Sequence, residues 1–162
     1  MQIVKVWGED LPKLREKIIN LWVNEGVLNR EEANKRVNEV ICAALDDNLE
    51  VMAICSGSPI YSEQLKEWFL YYRHFTNTKF RNNKLSIDLF YAAKEFFNKN
   101  RKVNDVELKG LYIVYESEIY NKYYTKLVND HGVILIGWTP NNNQIRVAFF
   151  DSAQINPKNL NV

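Results

Sequence analysis

Two apolar runs, Val40 to Leu45 and Val51 to Cys55, stand on either side of the acidic turn Asp46-Asp47-Asn48. Paired apolar runs around a short polar turn read as a β-hairpin. Gly57-Ser58-Pro59 closes the second run. With that hairpin placed, the segments on both sides fall into alternating types. Residues 3–7 alternate like a short strand. Asp10 reads as the cap of a helix that has Pro12 in its first turn and Leu14, Ile18, Leu21 and Trp22 at helical spacing, ending at Gly26. Asn29 and Glu32 form a capping-box pair for a second helix running through Arg36 to about Asn38.

Beyond the hairpin, residues 61–67 are polar and read as a loop, and Trp68 to Phe75 as a bulky aromatic strand. A helix follows the polar stretch Thr76 to Asn83, with Leu85, Leu89, Ala92, Ala93, Phe96 and Phe97 on its apolar side. Residues 98–109 form a charged connector. Leu111 to Tyr115 reads as a strand and Ile119 to Val128 as a short helix. Val133 to Ile136 and Ile145 to Phe150 are strands joined by a turn at Pro140 to Asn143. The order is β-α-α-β-β-β-α-β-α-β-β. It predicts an α/β (α+β mixed) fold: a central mixed, mostly antiparallel sheet of six to seven strands with helices on both faces. Residues 1–155 read as one domain, followed by a polar tail over 156–162. Strands two to four form an antiparallel meander. The helix over 85–98 is the crossover that sets strand 111–115 parallel to strand 68–75.

Composition narrows the function classes. The 162 residues carry 21 basic and 20 acidic side chains, a net charge of +1. No global field draws the chain to nucleic acid or to an anionic membrane. No apolar stretch approaches the length of a membrane span, and the first residues lack the pattern of a secretory leader. The expected compartment is the cytoplasm. Cys42 and Cys55 lie inside apolar runs and read as buried thiols. Two cysteines, two histidines and no close ligand spacing predict no metal site.

The element order resembles that of the GNAT N-acyltransferase family over nearly the whole chain, and three local features support the likeness. Phe69-Leu70-Tyr71-Tyr72-Arg73-His74-Phe75-Thr76-Asn77-Thr78 resembles the family's fourth strand running into its cofactor loop. Arg81-Asn82-Asn83-Lys84-Leu85-Ser86, entering a helix, matches the position of the Gln/Arg-x-x-Gly-x-Gly/Ala motif. Tyr124-Thr125-Lys126 lies where the family places a thiol-protonating tyrosine. Lys84 stands at the first glycine of the loop motif and Ser86 at the second small position.

The resemblance implies acetyl-CoA as co-substrate and an amine acceptor, either a small molecule or a protein. A homodimer is left open. The cofactor-binding residues it implies are Phe75, Thr76, Asn77, Lys79, Arg81, Asn82, Asn83, Lys84, Leu85 and Ser86. A helix starting near Leu85 leaves main-chain N–H groups for a pyrophosphate. Tyr124 is the implied proton donor to the departing thiolate. Two groups remain as candidates for the base: His74, whose ordinary pKa of about 6.5 suits the role, and Glu116, acting through water. The alternative is a catalytically inactive binding module on the same fold, which the lysine in the glycine position favours.

Overall fold

The computed structural model describes residues 1–81 and 84–159. Among the described residues eight strands pair in one mostly antiparallel sheet, in the order β1 (Gln2–Lys5), β2 (Val40–Leu45), β3 (Val51–Ser62), β4 (Glu67–Thr76), β6 (Val106–Tyr115), β8 (Gln144–Phe149), β7 (Ile134–Trp138), with β5 (Lys102–Val103) attached to β6, and four α-helices accompany them. The predicted mixed α/β class holds, with one more strand than expected. The chain divides into two compact units, Met1–Gly57 with Arg73–Glu95, and Ser58–Tyr72 with Phe96–Val162.

The first unit holds β1 (Gln2–Lys5), α1 (Pro12–Asn24), α2 (Arg30–Arg36), β2 (Val40–Leu45) and the first half of β3 (Val51–Ser62). It also holds the end of β4 (Glu67–Thr76) and most of α3 (Leu85–Lys99). All six residues of β2 are buried. β1 and β3 flank β2, each antiparallel to it. Ile18, Ile19, Leu21 and Trp22 of α1 pack with Ala33, Val37, Val40, Ala43, Leu45, Val51 and Ile54 into one core. The Asn29–Glu32 capping box forms as predicted, with Glu32 N donating to Asn29 Oδ1 at 2.9 Å and Asn29 N to Glu32 Oε2 at 3.2 Å.

Asp10 does not cap α1. The cap position is Leu11, with no side-chain hydrogen bond. Pro12 fixes its own φ and pushes the residue before it toward extended backbone, so the helix opens at the proline. The β2–β3 turn is built by Asp46, whose Oδ1 accepts from Asn48 N and Glu50 N at 2.9 and 2.8 Å. Cys42 and Cys55 face each other across β2 and β3, both buried and both thiols.

The second unit holds the rest of β3 and β4, β5 (Lys102–Val103), β6 (Val106–Tyr115), α4 (Glu118–Tyr123), β7 (Ile134–Trp138) and β8 (Gln144–Phe149). The predicted parallel pairing is present, with Trp68, Leu70 and Tyr71 of β4 opposite Leu108, Leu111 and Tyr112 of β6. β6 and β8 run antiparallel from Gly110 opposite Phe149 to Tyr115 opposite Gln144. Gly110 is required there: a Cβ would lie 2.3 Å from the Ala148 carbonyl oxygen. Phe69 packs edge-on to Phe149 at 5.9 Å, and Phe97 stacks on Phe150 at 6.4 Å.

Three segments differ from expectation. Residues 61–67 are a tight turn rather than a loop, because β3 continues to Ser62 and β4 opens at Glu67; Lys66 N donates to Ser62 O at 2.7 Å. The polar side chains there sit on strand ends that the periodicity does not mark. Residues 98–109 contain β5 and the start of β6, joined at Asn104 and Asp105. Both have positive φ, as a two-residue type I′ turn demands. Finally, α4 stops at Tyr123 instead of reaching Val128. The following backbone is bonded elsewhere: Leu127 O accepts from Leu135 N, and Asn129 N donates to Val133 O. This strap lies along β7, the last strand of the sheet. The Gln64 amide donates to Ile136 O at 2.7 Å, which further satisfies that strand.

Candidate active site

β4 delivers His74, Phe75 and Thr76 in extended backbone, and the chain then turns sharply at Asn77. Asn77 is buried and builds the turn. Its N–H donates to Met52 O at 2.9 Å and its Nδ2 to Val51 O at 3.3 Å, while its Oδ1 accepts from Lys79 N at 3.0 Å. A single 3₁₀ turn, Thr78–Phe80, follows. Thr78 Oγ1 donates to Glu25 Oε1 at 2.9 Å, which ties the loop to the end of α1.

Three cations punctuate this loop. The Lys79 ammonium lies 4.0 Å from a Glu50 carboxylate oxygen, with both side chains largely in solvent. Arg81 and Lys84 are exposed. Asn82 and Asn83 lie outside the described residues. Lys84 O accepts from Ile87 N at 3.0 Å and Asp88 N at 3.1 Å, which opens α3. The N–H groups of Leu85 and Ser86 precede these and have no acceptor among the described residues. Leu85 is buried and anchors the helix start, and Ser86 is half-buried. Donors at a helix start favour an anion; Asp88, in the first turn, partly offsets that preference.

His74 is exposed at its surface yet crowded by its neighbours, and desolvation pushes its pKa below the ordinary 6.5. The solvent still reaching the ring limits that effect. The neutral imidazole favoured in this way is the form that accepts a proton. Arg73, one residue earlier, forms a tight ion pair with Glu39.

In the second unit, Glu116 is exposed just past the end of β6, and Ser117 opens α4. Tyr124 is the residue on which α4 ends. Its ring packs 5.4 Å from Tyr115 and 5.5 Å from Tyr120. Burial pushes the Tyr115 phenol up, and the nearby Arg146 charge opposes this.

Sequence reasoning missed the groups beneath this cluster. Arg146 has 0% of its surface exposed and Gln144 has 2%. Asn121 and Asn129 are further polar anchors: Asn121 Nδ2 donates to Asn143 Oδ1, and Asn129 Oδ1 accepts from His131 N and Val133 N. The overlooked signal was period two in β8, since Gln144, Arg146 and Ala148 fall on one face of a strand otherwise apolar. His131 lies in the turn that Asn129 builds, eight residues after the end of α4.

Among the described residues no cluster of His, Cys, Asp and Glu could hold a metal ion, and no helix is long and apolar enough to cross a membrane.

No protein-family model matches the sequence, and no curated protein does. Solved structures do match. A GNAT-family acetyltransferase from Streptococcus pneumoniae superposes with a TM-score of 0.62 at 13% identity, covering 93% of this chain and 99% of that one. A ribosomal-protein-S5-alanine acetyltransferase from Vibrio fischeri gives 0.63 at 11% identity over 95% of each chain. A GNAT-family N-acetyltransferase from Escherichia coli, in complex with CoA, gives 0.57 at 17% identity over 93% of this chain and 81% of that one. The chain has the GNAT N-acetyltransferase fold.

Proposed function

We propose that this chain is a single GNAT-type acyltransferase domain that moves an acetyl or other short acyl group from its CoA thioester to a primary amine in the cytoplasm. The observation that carries the reading is the strand and turn from His74 to Arg81 followed by the helix start at Leu85: main-chain donors at Leu85 and Ser86 without an acceptor among the described residues, and exposed Arg81 and Lys84 in the same stretch of chain. It occurs in a fold shared with an acetyltransferase solved with CoA. β4 and β6 both continue past their last pair, Tyr71 with Tyr112. The reading assigns the pantetheine arm to the backbone of Phe75, Thr76 and Asn77 and the pyrophosphate to the stretch from Lys79 to Ser86.

The chemistry is direct transfer. The neutral amine nitrogen attacks the thioester carbonyl, a main-chain N–H stabilises the developing oxyanion, and the carbon–sulfur bond breaks. The departing thiolate takes a proton from Tyr124. The proton shed by the amine goes to His74, or to Glu116 through water. The acceptor is a small-molecule or protein amine.

The second reading, a binding module without turnover, is favoured by the exposed Lys84 where the loop motif has glycine and by Asp88 in the first turn of α3. One set of measurements separates the two. Acetyl-CoA at about 100 times its dissociation constant should add about 2.7 kcal/mol of stability in a thermal shift. Thiol release in the presence of an amine panel then reports turnover. Binding without release on any amine favours the module. The double substitution Arg81→Glu/Lys84→Glu should weaken CoA binding with the melting curve of the free protein preserved; unchanged affinity removes the phosphate assignment.

A further inference from the structure

An arginine on a strand ordinarily snorkels to water, with its stem on apolar surface and its charge outside. Arg146 does the opposite. It is wholly enclosed on β8, and no carboxylate among the described residues pairs with it. All three of its nitrogens are spent on neutral oxygens. Nε donates to Gln144 Oε1 at 2.6 Å, and Nη1 to Val133 O at 3.4 Å. Nη2 donates to Tyr124 O at 2.8 Å and to Lys126 O at 2.9 Å. Burying a cation is costly unless its donors are satisfied. Apart from the Gln144 amide, the satisfaction comes from backbone of one segment, the strap that leaves α4 and reaches β7.

The same brace holds the other side of Tyr124. Gln144 N donates to Asn121 Oδ1 at 2.9 Å and Gln144 Nε2 to Asn121 O at 3.0 Å, which fastens α4 to β8. The guanidinium carbon also lies 5.5 Å from the centroid of Tyr115, the ring against which Tyr124 packs. The helix before Tyr124, the strap after it and the ring beside it are therefore all fixed by two adjacent inward-facing residues of one strand. The carbonyl of Tyr124 itself is one of the groups held.

We propose that Arg146, supported by Gln144, is the positioning residue that sets the Tyr124 phenol for proton donation to the departing CoA thiolate. This rests on the reading of Tyr124 as the proton donor. The role needs a planar fork: a lysine ammonium is a single point and cannot reach Tyr124 O, Lys126 O, Val133 O and the Gln144 amide together.

The test measures kcat and KM for acetyl-CoA, with the best acceptor from the amine panel, in wild type, Arg146→Lys, Tyr124→Phe and the double variant, with circular dichroism and melting curves for each. Arg146→Lys should lower kcat on the order of ten- to a hundredfold, the scale on which misplacing a reacting group acts, with KM near wild type. In the Tyr124→Phe background the same change should lower kcat little further, since a positioning residue loses its effect once the group it positions is gone. Guanidinium ion added to Arg146→Ala should restore part of the lost rate. A folded Arg146→Lys with wild-type kcat overturns the proposal, as do losses that multiply in the double variant. Wild-type kcat in Tyr124→Phe overturns the donor assignment itself and the positioning role with it. A drop confined to Arg146→Lys then marks the arginine as structural. If Arg146→Lys does not fold, Gln144→Ala carries the same comparison, with a smaller loss in the same direction expected and multiplicative losses again refuting.

Discussion

Replacing Gly110 with alanine tests how closely β6 and β8 are held, and with them the strand that carries Arg146. The added Cβ would sit 2.3 Å from Ala148 O, 2.9 Å from Phe149 Cα and 3.0 Å from the Ala148 carbonyl carbon. All three are backbone atoms, so no side chain can swing away. A carbon–oxygen contact between strands ordinarily lies near 3.3–3.6 Å, so the two strands must separate by roughly 1 Å. That displacement carries a neighbouring backbone bond, Phe150 N to Lys109 O at 2.9 Å, past the limit of a hydrogen bond. Overpacking costs about 1–3 kcal/mol, and each buried group left without a partner adds about 1–3 kcal/mol. We therefore expect Gly110→Ala to lose about 3–5 kcal/mol in urea unfolding. For a chain of this size that lowers the melting temperature by roughly 6–20 °C. A loss under about 1 kcal/mol would mean that the strands part without strain and that close approach does not require glycine at this position.

Two further perturbations have signs fixed by the structure. Asn29→Ala removes the Oδ1 acceptor of the capping box and should cost about 1 kcal/mol, read as a shift in the urea midpoint with an unchanged slope; no shift would mean that α2 is held by packing alone. His74 has its folded pKa pushed below the ordinary 6.5, so between those two values the unfolded chain takes up a proton that the folded chain refuses. Stability from this group is present above about pH 6.5 and is lost as the pH falls through the window beneath it. His74→Gln should flatten that part of the stability–pH curve and leave the curve above it alone; parallel curves for the two proteins would refute the assignment.

The parts of the molecule that sequence marks clearly are those where one local rule acts without competition. The Asn29–Glu32 pair formed because both halves of a capping box lie within four residues. The aromatic strand over 68–75 and the crossover helix together left one economical way to place strand 111–115, and the parallel pairing of β4 with β6 follows it. Errors occurred where a neighbour competed. Asp10 is a good capping residue, yet Pro12 dictates the start of α1. Asn104-Asp105 is a two-residue turn without glycine, so the hairpin of β5 and β6 passed for a charged connector.

The site was legible to unequal depth, and the difference has a physical basis. A turn followed by a helix start with main-chain donors shows in sequence as turn formers before an apolar helix, and Thr76 to Ser86 has that sequence pattern. A side chain whose position depends on distant carbonyls shows nothing locally. Helical spacing carries α4 on to Val128, and nothing between Tyr123 and Val128 in the sequence ends it. The partners of this backbone lie outside the segment: the Arg146 guanidinium takes the carbonyls of Tyr124 and Lys126, while Leu135 N takes that of Leu127. Of these, the Tyr124 carbonyl is the one that a helix running to Val128 would need, as the acceptor for Val128 N. The enclosed cation and the unwound strap are thus one feature. A polar residue on the inward face of an apolar strand is the mark by which such a brace is found, because its donors must be answered by backbone that has given up regular structure.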